Sequence, residues 1–292
     1  MNGSSVSTIA FLYLFCMKPE LFHLGGLTIY GYGFCILMGV VAAYLHFYFN
    51  RKRIGITEDQ ISALILICGI SVFVGGKLFF ILEDPVLYLR EPGKWLSNLG
   101  DGFVFYGSFL VTIVALYWWF KRNGFVFWRM MDEVGIAGAF VHGFGKIGCL
   151  MAGCCYGLEC KPEDGIVFTD ILSRARPLNT PLYPVQLWDA SVIFGAILFM
   201  YIWRKYKQYD GQIFIIYSVV YGVGRIITEE YRGDDARGFL WDGLLTHSQF
   251  IGILVVLFSL VFHFRMLAKR NAIAADKTSS AFSSSEADAG RP

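Results

Sequence analysis

Lys77, Asp101, His142, Lys146, Asp189, Arg225, Glu229 and Glu230 each fall inside an apolar stretch or within a turn of its end. A charged side chain at a bilayer centre costs roughly 2.5–3.5 kcal/mol on insertion scales, so each marks a functional candidate or a partner in a structural pair. His142 and Lys146 are four apart and share a helix face, among Gly135, Gly138, Gly143, Gly145, Gly148, Gly153 and Gly157. Such glycines admit a ligand or a neighbouring backbone, or serve helix packing alone. Arg225 and Glu229 are again four apart, with Arg232 three further on. This set reads either as a salt bridge snorkelling to the interface, or as an arginine that holds an anionic oxygen while Glu229 fixes its rotamer. Lys77, behind Gly75-Gly76, snorkels outward or adds a third cation. Three intramembrane cations on separate helices suit a phosphate-bearing amphiphile, which can enter sideways from the bilayer.

The elements that must hold these residues are membrane helices. The 292 residues are 55% hydrophobic, 17% aromatic and 16% charged, against roughly 25% charged in soluble domains. A net charge of +2 with scattered basic residues leaves no nucleic-acid footprint. Seven apolar cores stand near the 20 residues a crossing needs: Ile29–Phe49, Ile61–Leu82, Gly102–Phe120, Val134–Tyr156, Gln186–Trp203, Gly211–Thr228 and Phe250–Phe264. The expected fold is therefore an all-α integral membrane protein of about seven transmembrane helices. Arg51-Lys52-Arg53, Lys121-Arg122, Arg204-Lys205 and Lys269-Arg270 follow alternate spans. The positive-inside rule then puts the N-terminus outside and the C-terminus in the cytoplasm.

The remainder divides by composition. Residues 1–28 form an N-terminal membrane-skirting segment, 29–270 the transmembrane body and 271–292 a disordered cytoplasmic tail, while 157–185, with four prolines, is expected to form a small extracytoplasmic cap. The seven cysteines do not read as a secreted disulfide framework. Cys149, Cys154, Cys155 and Cys160 with His142 could form a metal or redox cluster. On a continuing helix, however, Cys154 and Cys155 point in different directions and no C-x-x-C is present. Reduced thiols acting as small hydrophobes are the default, and no metal or cofactor is expected.

From Leu24 to His263 the chain resembles the prolipoprotein diacylglyceryl transferases of bacterial cell membranes. The resemblance rests on an ordered set: Ile29-Tyr30-Gly31-Tyr32-Gly33, Gly75-Gly76-Lys77, Asp101 through Gly107, Gly145-Lys146-Ile147-Gly148 through Gly153, Tyr183-Pro184-Val185-Gln186-Leu187-Trp188-Asp189, and Tyr221 to Arg232. It implies transfer of the diacylglyceryl group of phosphatidylglycerol to the lipobox cysteine thiol of a preprolipoprotein, with release of glycerol phosphate, in the inner membrane. Tyr30, Gly157, Arg225 and Glu229 match family positions. Three stretches depart: Tyr106-Gly107-Ser108 stands for His-Gly-Gly, Lys146 for an arginine and Cys149 for an asparagine in Gly-Arg-x-Gly-Asn, and Ala152-Gly153-Cys154 for Asn-Gly-Glu.

Lys146 keeps the charge without the bidentate fork. Tyr106 is a poor base at neutral pH, which leaves His142 as the group to take the thiol proton. The resemblance thus implies catalytic roles for His142, Tyr106, Arg225 and Glu229, and substrate binding by Lys146, Tyr30, Lys77, Gly157, Gln186, Asp189 and Arg232. Tyr30 and Tyr106 equally suit an interfacial aromatic belt. The competing readings are a lipid transferase with another acceptor, a non-catalytic phospholipid-binding or transport protein, and a membrane thiol oxidoreductase.

Overall fold

The computed structural model describes residues 17–83, 85, 88, 104–234, 238–240 and 244–289, with the side chains of 83, 105, 106, 239 and 274–289 left aside. Asp101 and the segment before Met17 lie outside the described residues, as does most of the connection after Glu83. The main helices are α1 (Gly31–Ile54), α2 (Glu58–Glu83), α3 (Phe105–Arg122), α4 (Phe127–Ala152), α5 (Val185–Trp203), α6 (Gln212–Glu229) and α7 (His247–Ala289). Each expected span has its helix. Five of these, α1, α2, α4, α5 and α7 up to Ile273, are long and apolar enough to cross a membrane. At 18 residues each, α3 and α6 are shorter. Large apolar side chains point outward along the helices, among them Leu66, Val114, Leu198 and Phe258, as a lipid surround allows. The chain is a mostly helical, multi-pass membrane protein.

Local chemistry sets several boundaries. Gly55, with φ +79°, ends α1, and its N–H donates to the Arg51 carbonyl at 2.8 Å. Thr57 and Gln60 then open α2 with a reciprocal capping box: the Gln60 N–H donates to Thr57 Oγ1 (3.3 Å) and the Thr57 N–H to Gln60 Oε1 (3.0 Å). The same device starts α7, where the Thr246 N–H reaches Gln249 Oε1 at 2.9 Å and the Gln249 N–H reaches Thr246 Oγ1 at 3.1 Å. Among the described residues, three two-stranded antiparallel sheets accompany the helices. The first, β1 (Glu20–Leu24) with β2 (Leu27–Tyr30), turns at Gly25-Gly26 and leads straight into α1.

The chain divides into two compact units, Tyr44–Met131 and Met1–Ala43 with Asp132–Pro292. In the first, α2 and α3 are in intimate contact: a Cβ at Gly75 would lie 2.4 Å from the Gly107 carbonyl, and one at Gly107 would lie 2.4 Å from Phe79 Cβ. Only glycine permits that approach. In the second unit, Ile136 and Ala139 of α4, Ile193, Ile197 and Met200 of α5, and Ile213 of α6 form a buried core. The start of α1 packs on α4, since Cβ atoms at Gly31, Gly39 and Gly148 would fall about 3 Å from Met151, Val141 and Tyr32 respectively. Gly222 of α6 and Gly252 of α7 bring those helices equally close.

The connection between α4 and α5 is a folded cap. Its strands β3 (Ile166–Val167) and β4 (Pro181–Leu182) pair antiparallel, and Phe168, Ala175 and Leu182 form a small core with Leu150 at the end of α4. After β5 (Phe239–Leu240) and β6 (Leu245–Thr246), α7 runs 43 residues. Its helical backbone continues through Ala289, into the stretch that composition reads as a disordered tail. Alanine, lysine and glutamate in that stretch carry high intrinsic helix propensity.

Candidate functional site

The site gathers where α4, α5 and α6 meet the cap. Lys146 of α4 donates to Asp189 Oδ2 of α5 at 2.5 Å. The same Asp189 oxygen lies 3.9 Å from Arg225 Nη1 of α6. Arg225 Nη2 is 2.6 Å from Glu229 Oε2 and also donates to Ser248 Oγ at the start of α7 (3.2 Å). Arg232 Nη1 reaches Glu229 Oε2 at 3.4 Å, and its Nε donates to Asp234 Oδ1 at 2.7 Å. The result is one continuous alternation of charge, Lys146–Asp189–Arg225–Glu229–Arg232–Asp234. Lys146, Asp189, Arg225, Glu229 and Arg232 are all buried. The snorkelling alternative for Arg225 and Glu229 therefore does not describe them: their heads point inward, to partners on three helices.

Buried charges held only by one another are costly, and a partner left out matters. Arg225 Nη1 is buried without a hydrogen-bond partner among the described residues, as is Gln186 Oε1 at the start of α5. Gln186 Nε2 donates to the Cys154 carbonyl at 2.9 Å, fixing the amide beside the end of α4. An unpaired guanidinium donor in this setting has the chemistry to take an anionic oxygen.

The same face of α4 continues to His142, whose Nδ1 is 2.7 Å from the Tyr217 hydroxyl of α6 and whose ring meets Tyr221 edge-on at 4.5 Å between centroids. Tyr217, Tyr221, Arg225 and Glu229 recur every four residues and so form one stripe of α6. Tyr217, Ser248 and Asp234 were not among the candidates. The four-residue period identifies Tyr217, and adjacency to Arg232 identifies Asp234, whereas Ser248 is reached only through the packing of α7.

Gly157 bridges to Arg232 as an isolated antiparallel pair. A Cβ there would lie 2.4 Å from the Tyr183 carbonyl, and one at Gly233 would lie 2.5 Å from the Gly157 carbonyl. The glycine lets the first residues of the cap pass between the segments after α6 and before α5, where Gly157 pairs with Arg232. Tyr30 is exposed at the end of β2 and has no contact with the ionic chain among the described residues. Lys77 belongs to the α2–α3 unit, where its ammonium lies 5.6 Å from the Phe80 ring centroid. Tyr106 stands in the first turn of α3, and its side chain lies outside the described residues.

The cysteines are placed differently from the continuing-helix expectation. Helix α4 stops at Ala152, and the Sγ atoms of Cys149, Cys154 and Cys155 all lie within 4.8 Å of one another. Hydrogen bonding to Cys149 and Cys154, together with the positive charges of Lys146 and Arg232, holds the Cys155 thiol well below the usual thiol range despite its burial.

The fold and this buried ionic chain define a multi-pass membrane protein with a buried charge network at the junction of three helices and the connection after α4. The chain belongs to the prolipoprotein diacylglyceryl transferase family, whose model matches residues 19–265. Three relatives carry the name phosphatidylglycerol–prolipoprotein diacylglyceryl transferase. That of Clostridium tetani is 36% identical over 82% of this chain and 94% of its own length. One from Clostridium perfringens is 32% identical over 82% and 92%. The protein of Solidesulfovibrio magneticus is 30% identical over 87% and 96%.

Proposed function

We infer that this protein is a transferase that moves the diacylglyceryl group of phosphatidylglycerol onto prolipoproteins. Family membership over nearly the whole chain supports the reaction. The observation that ties it to particular residues is the buried Lys146–Asp189–Arg225–Glu229 chain, with one guanidinium donor that has no hydrogen-bond partner among the described residues. In this reading the phosphodiester of the lipid approaches Arg225 Nη1 and Lys146. Glu229, Ser248 and Asp189 keep those cations oriented, so their positive charge is in place before the substrate arrives.

The acceptor is the lipobox cysteine thiol. Its sulfur attacks the glyceryl carbon bonded to the phosphate, a carbon–sulfur bond forms as that carbon–oxygen bond breaks, and glycerol phosphate leaves with its charge stabilised by Arg225 and Lys146. His142 takes the thiol proton. Tyr217 on Nδ1 fixes the ring and leaves Nε2 for that task. Tyr30 orients the head group, with Gln186, Gly157 and Arg232 serving the same binding surface. The basic residues after alternate spans favour a topology with the N-terminus and the cap outside the cytoplasm, the side on which a translocated precursor emerges.

Replacing His142 by Gln in the purified, detergent-solubilised enzyme tests the assignment, with labelled phosphatidylglycerol and a lipobox peptide as substrates. Loss of a general base lowers the rate by about 10²–10⁴-fold. Transfer at the wild-type rate would remove His142 from the reaction.

A further inference from the structure

Besides the ionic chain, the second unit holds a group of side chains that the transfer reaction leaves unused. Cys149, Cys154 and Cys155 carry free thiols whose Sγ atoms lie within 4.8 Å of one another. How they meet follows from the backbone. Gly153, with φ +73°, ends α4 in the left-handed conformation. Its N–H donates to the Leu150 carbonyl at 3.3 Å, and the next N–H, that of Cys154, donates back to the Cys149 carbonyl at 3.1 Å. These two bonds are the paired closures of a Schellman motif. They fold the chain after the helix back onto its last turn, so Cys154 returns beside Cys149 where a continuing helix would carry it away. Cys155 also has a positive φ of 56°, a conformation uncommon outside glycine and asparagine, and its thiol joins the other two. Gln186 holds the turn from outside through the Cys154 carbonyl. A side chain at residue 153 would strike Ser173 Oγ and the Ala175 N–H of the cap, so the cap enforces the turn.

We propose that Cys149, Cys154 and Cys155 form a binding site for one thiophilic metal ion, of which zinc is the type, held by three thiolates with a fourth position open to an outside ligand. Zinc–sulfur bonds of about 2.3 Å around a trigonal or tetrahedral ion require sulfurs roughly 3.8–4.0 Å apart. The observed spacing reaches that range with thiol shifts of under about 1 Å. The three residues are partly accessible, which leaves a route for the ion. Three thiolates around a divalent ion carry a net negative charge, and Lys146 lies one helical turn before Cys149 on α4. Binding releases the three thiol protons to solvent and involves no oxidation. The set is absent from the C-x-x-C patterns that identify metal sites in sequence, because its spacing is made by a helix cap.

The test uses the full-length protein, purified in detergent with all thiols reduced, and titrated with cobalt(II) and then zinc. The site predicts one cobalt per chain with an intense sulfur-to-cobalt absorption band in the near ultraviolet, removed by one equivalent of zinc. Replacing Cys155 or Cys149 by Ser should weaken zinc binding by more than about tenfold, while Cys160→Ser leaves it unchanged. Should a serine variant fold poorly, alkylation of the wild-type protein decides. Zinc protects Cys149, Cys154 and Cys155 from N-ethylmaleimide but spares Cys160, and a chelator abolishes the protection. No sulfur-to-cobalt band, equal alkylation with and without zinc, or a disulfide among the three as the sole change would each overturn the site. Diacylglyceryl transfer measured in the same preparation stands apart from these readouts, so loss of the metal site and loss of the transfer reaction are distinguishable.

Discussion

Helix α4 carries a buried ionic cluster near each end, and the two are finished differently. At its first turns Asp132 is buried with both carboxylate oxygens saturated. Oδ1 accepts from the N–H groups of Ile213 (2.8 Å) and Phe214 (3.3 Å), and Oδ2 accepts from the Gly211 N–H and from Lys207 Nζ, each at 3.0 Å. It thereby caps the N-terminus of α6 from another helix, where a carboxylate also suits the helix dipole. Burial works against the Lys207 charge, but Asp210 and Asp132 more than offset it and raise its pKa above the usual lysine range. Fourteen residues on, about 21 Å along the helix, Lys146 begins a chain in which Arg225 Nη1 and Gln186 Oε1 have no hydrogen-bond partners among the described residues. Both clusters tie α4 to α6. The saturated one has nothing left to offer a ligand and is structural, whereas the incomplete one retains polar atoms that a substrate would satisfy.

That contrast is open to breaking. Asp132→Ala should have the largest effect on stability: it strands three buried backbone donors and leaves Lys207 only Asp210 as a partner, at a cost of about 3–5 kcal/mol. A thermal unfolding scan in detergent would read this as a large fall in Tm, with the specific activity of the molecules that remain folded unchanged. Lys146→Gln should reverse the pattern. Gln can still donate to Asp189, and Arg225 stays near that carboxylate, so the stability loss is smaller than for Asp132→Ala, while the transfer rate falls by roughly 10²-fold for loss of one oriented cation. A Tm loss as large as that of Asp132→Ala would place Lys146 in the structural class instead. Thr246→Val removes the capping box of α7 and should cost about 1 kcal/mol, seen as a small Tm shift with activity retained. If it abolished activity, the start of α7, which also carries Ser248 against Arg225, would be part of the site in its own right.

The sequence carried much of this because its signals were local. Each of the seven apolar cores falls on a helix, and five of those helices are long and apolar enough to cross a membrane, because hydropathy and length are local signals. Tyr217, Tyr221, Arg225 and Glu229 share a face by period, and the Thr57–Gln60 box is legible in four residues. Asp189 was visible as a charge out of place, but its partner was not: pairing to Lys146 depends on which helix packs against which. The cysteines show the same limit from the other side. With the fourth span read as running to Tyr156, Cys154 and Cys155 diverge; with Gly153 as the end of the helix, they converge. One residue's left-handed backbone decides between a scatter of small hydrophobes and a cluster of thiols. Gly25-Gly26 likewise announces a hairpin that hydropathy overlooks.

The claim on which the rest depends is that the incomplete cluster receives the phosphate of the lipid donor. Its most direct test is the rate of glycerol phosphate release from phosphatidylglycerol, in the presence of a lipobox peptide, by the wild-type protein and by Arg225→Ala. The ionic chain predicts release matched one for one by thioether formed on the peptide, and a fall of about 10²–10³-fold in Arg225→Ala with the protein still folded. Release by Arg225→Ala at the wild-type rate would contradict it.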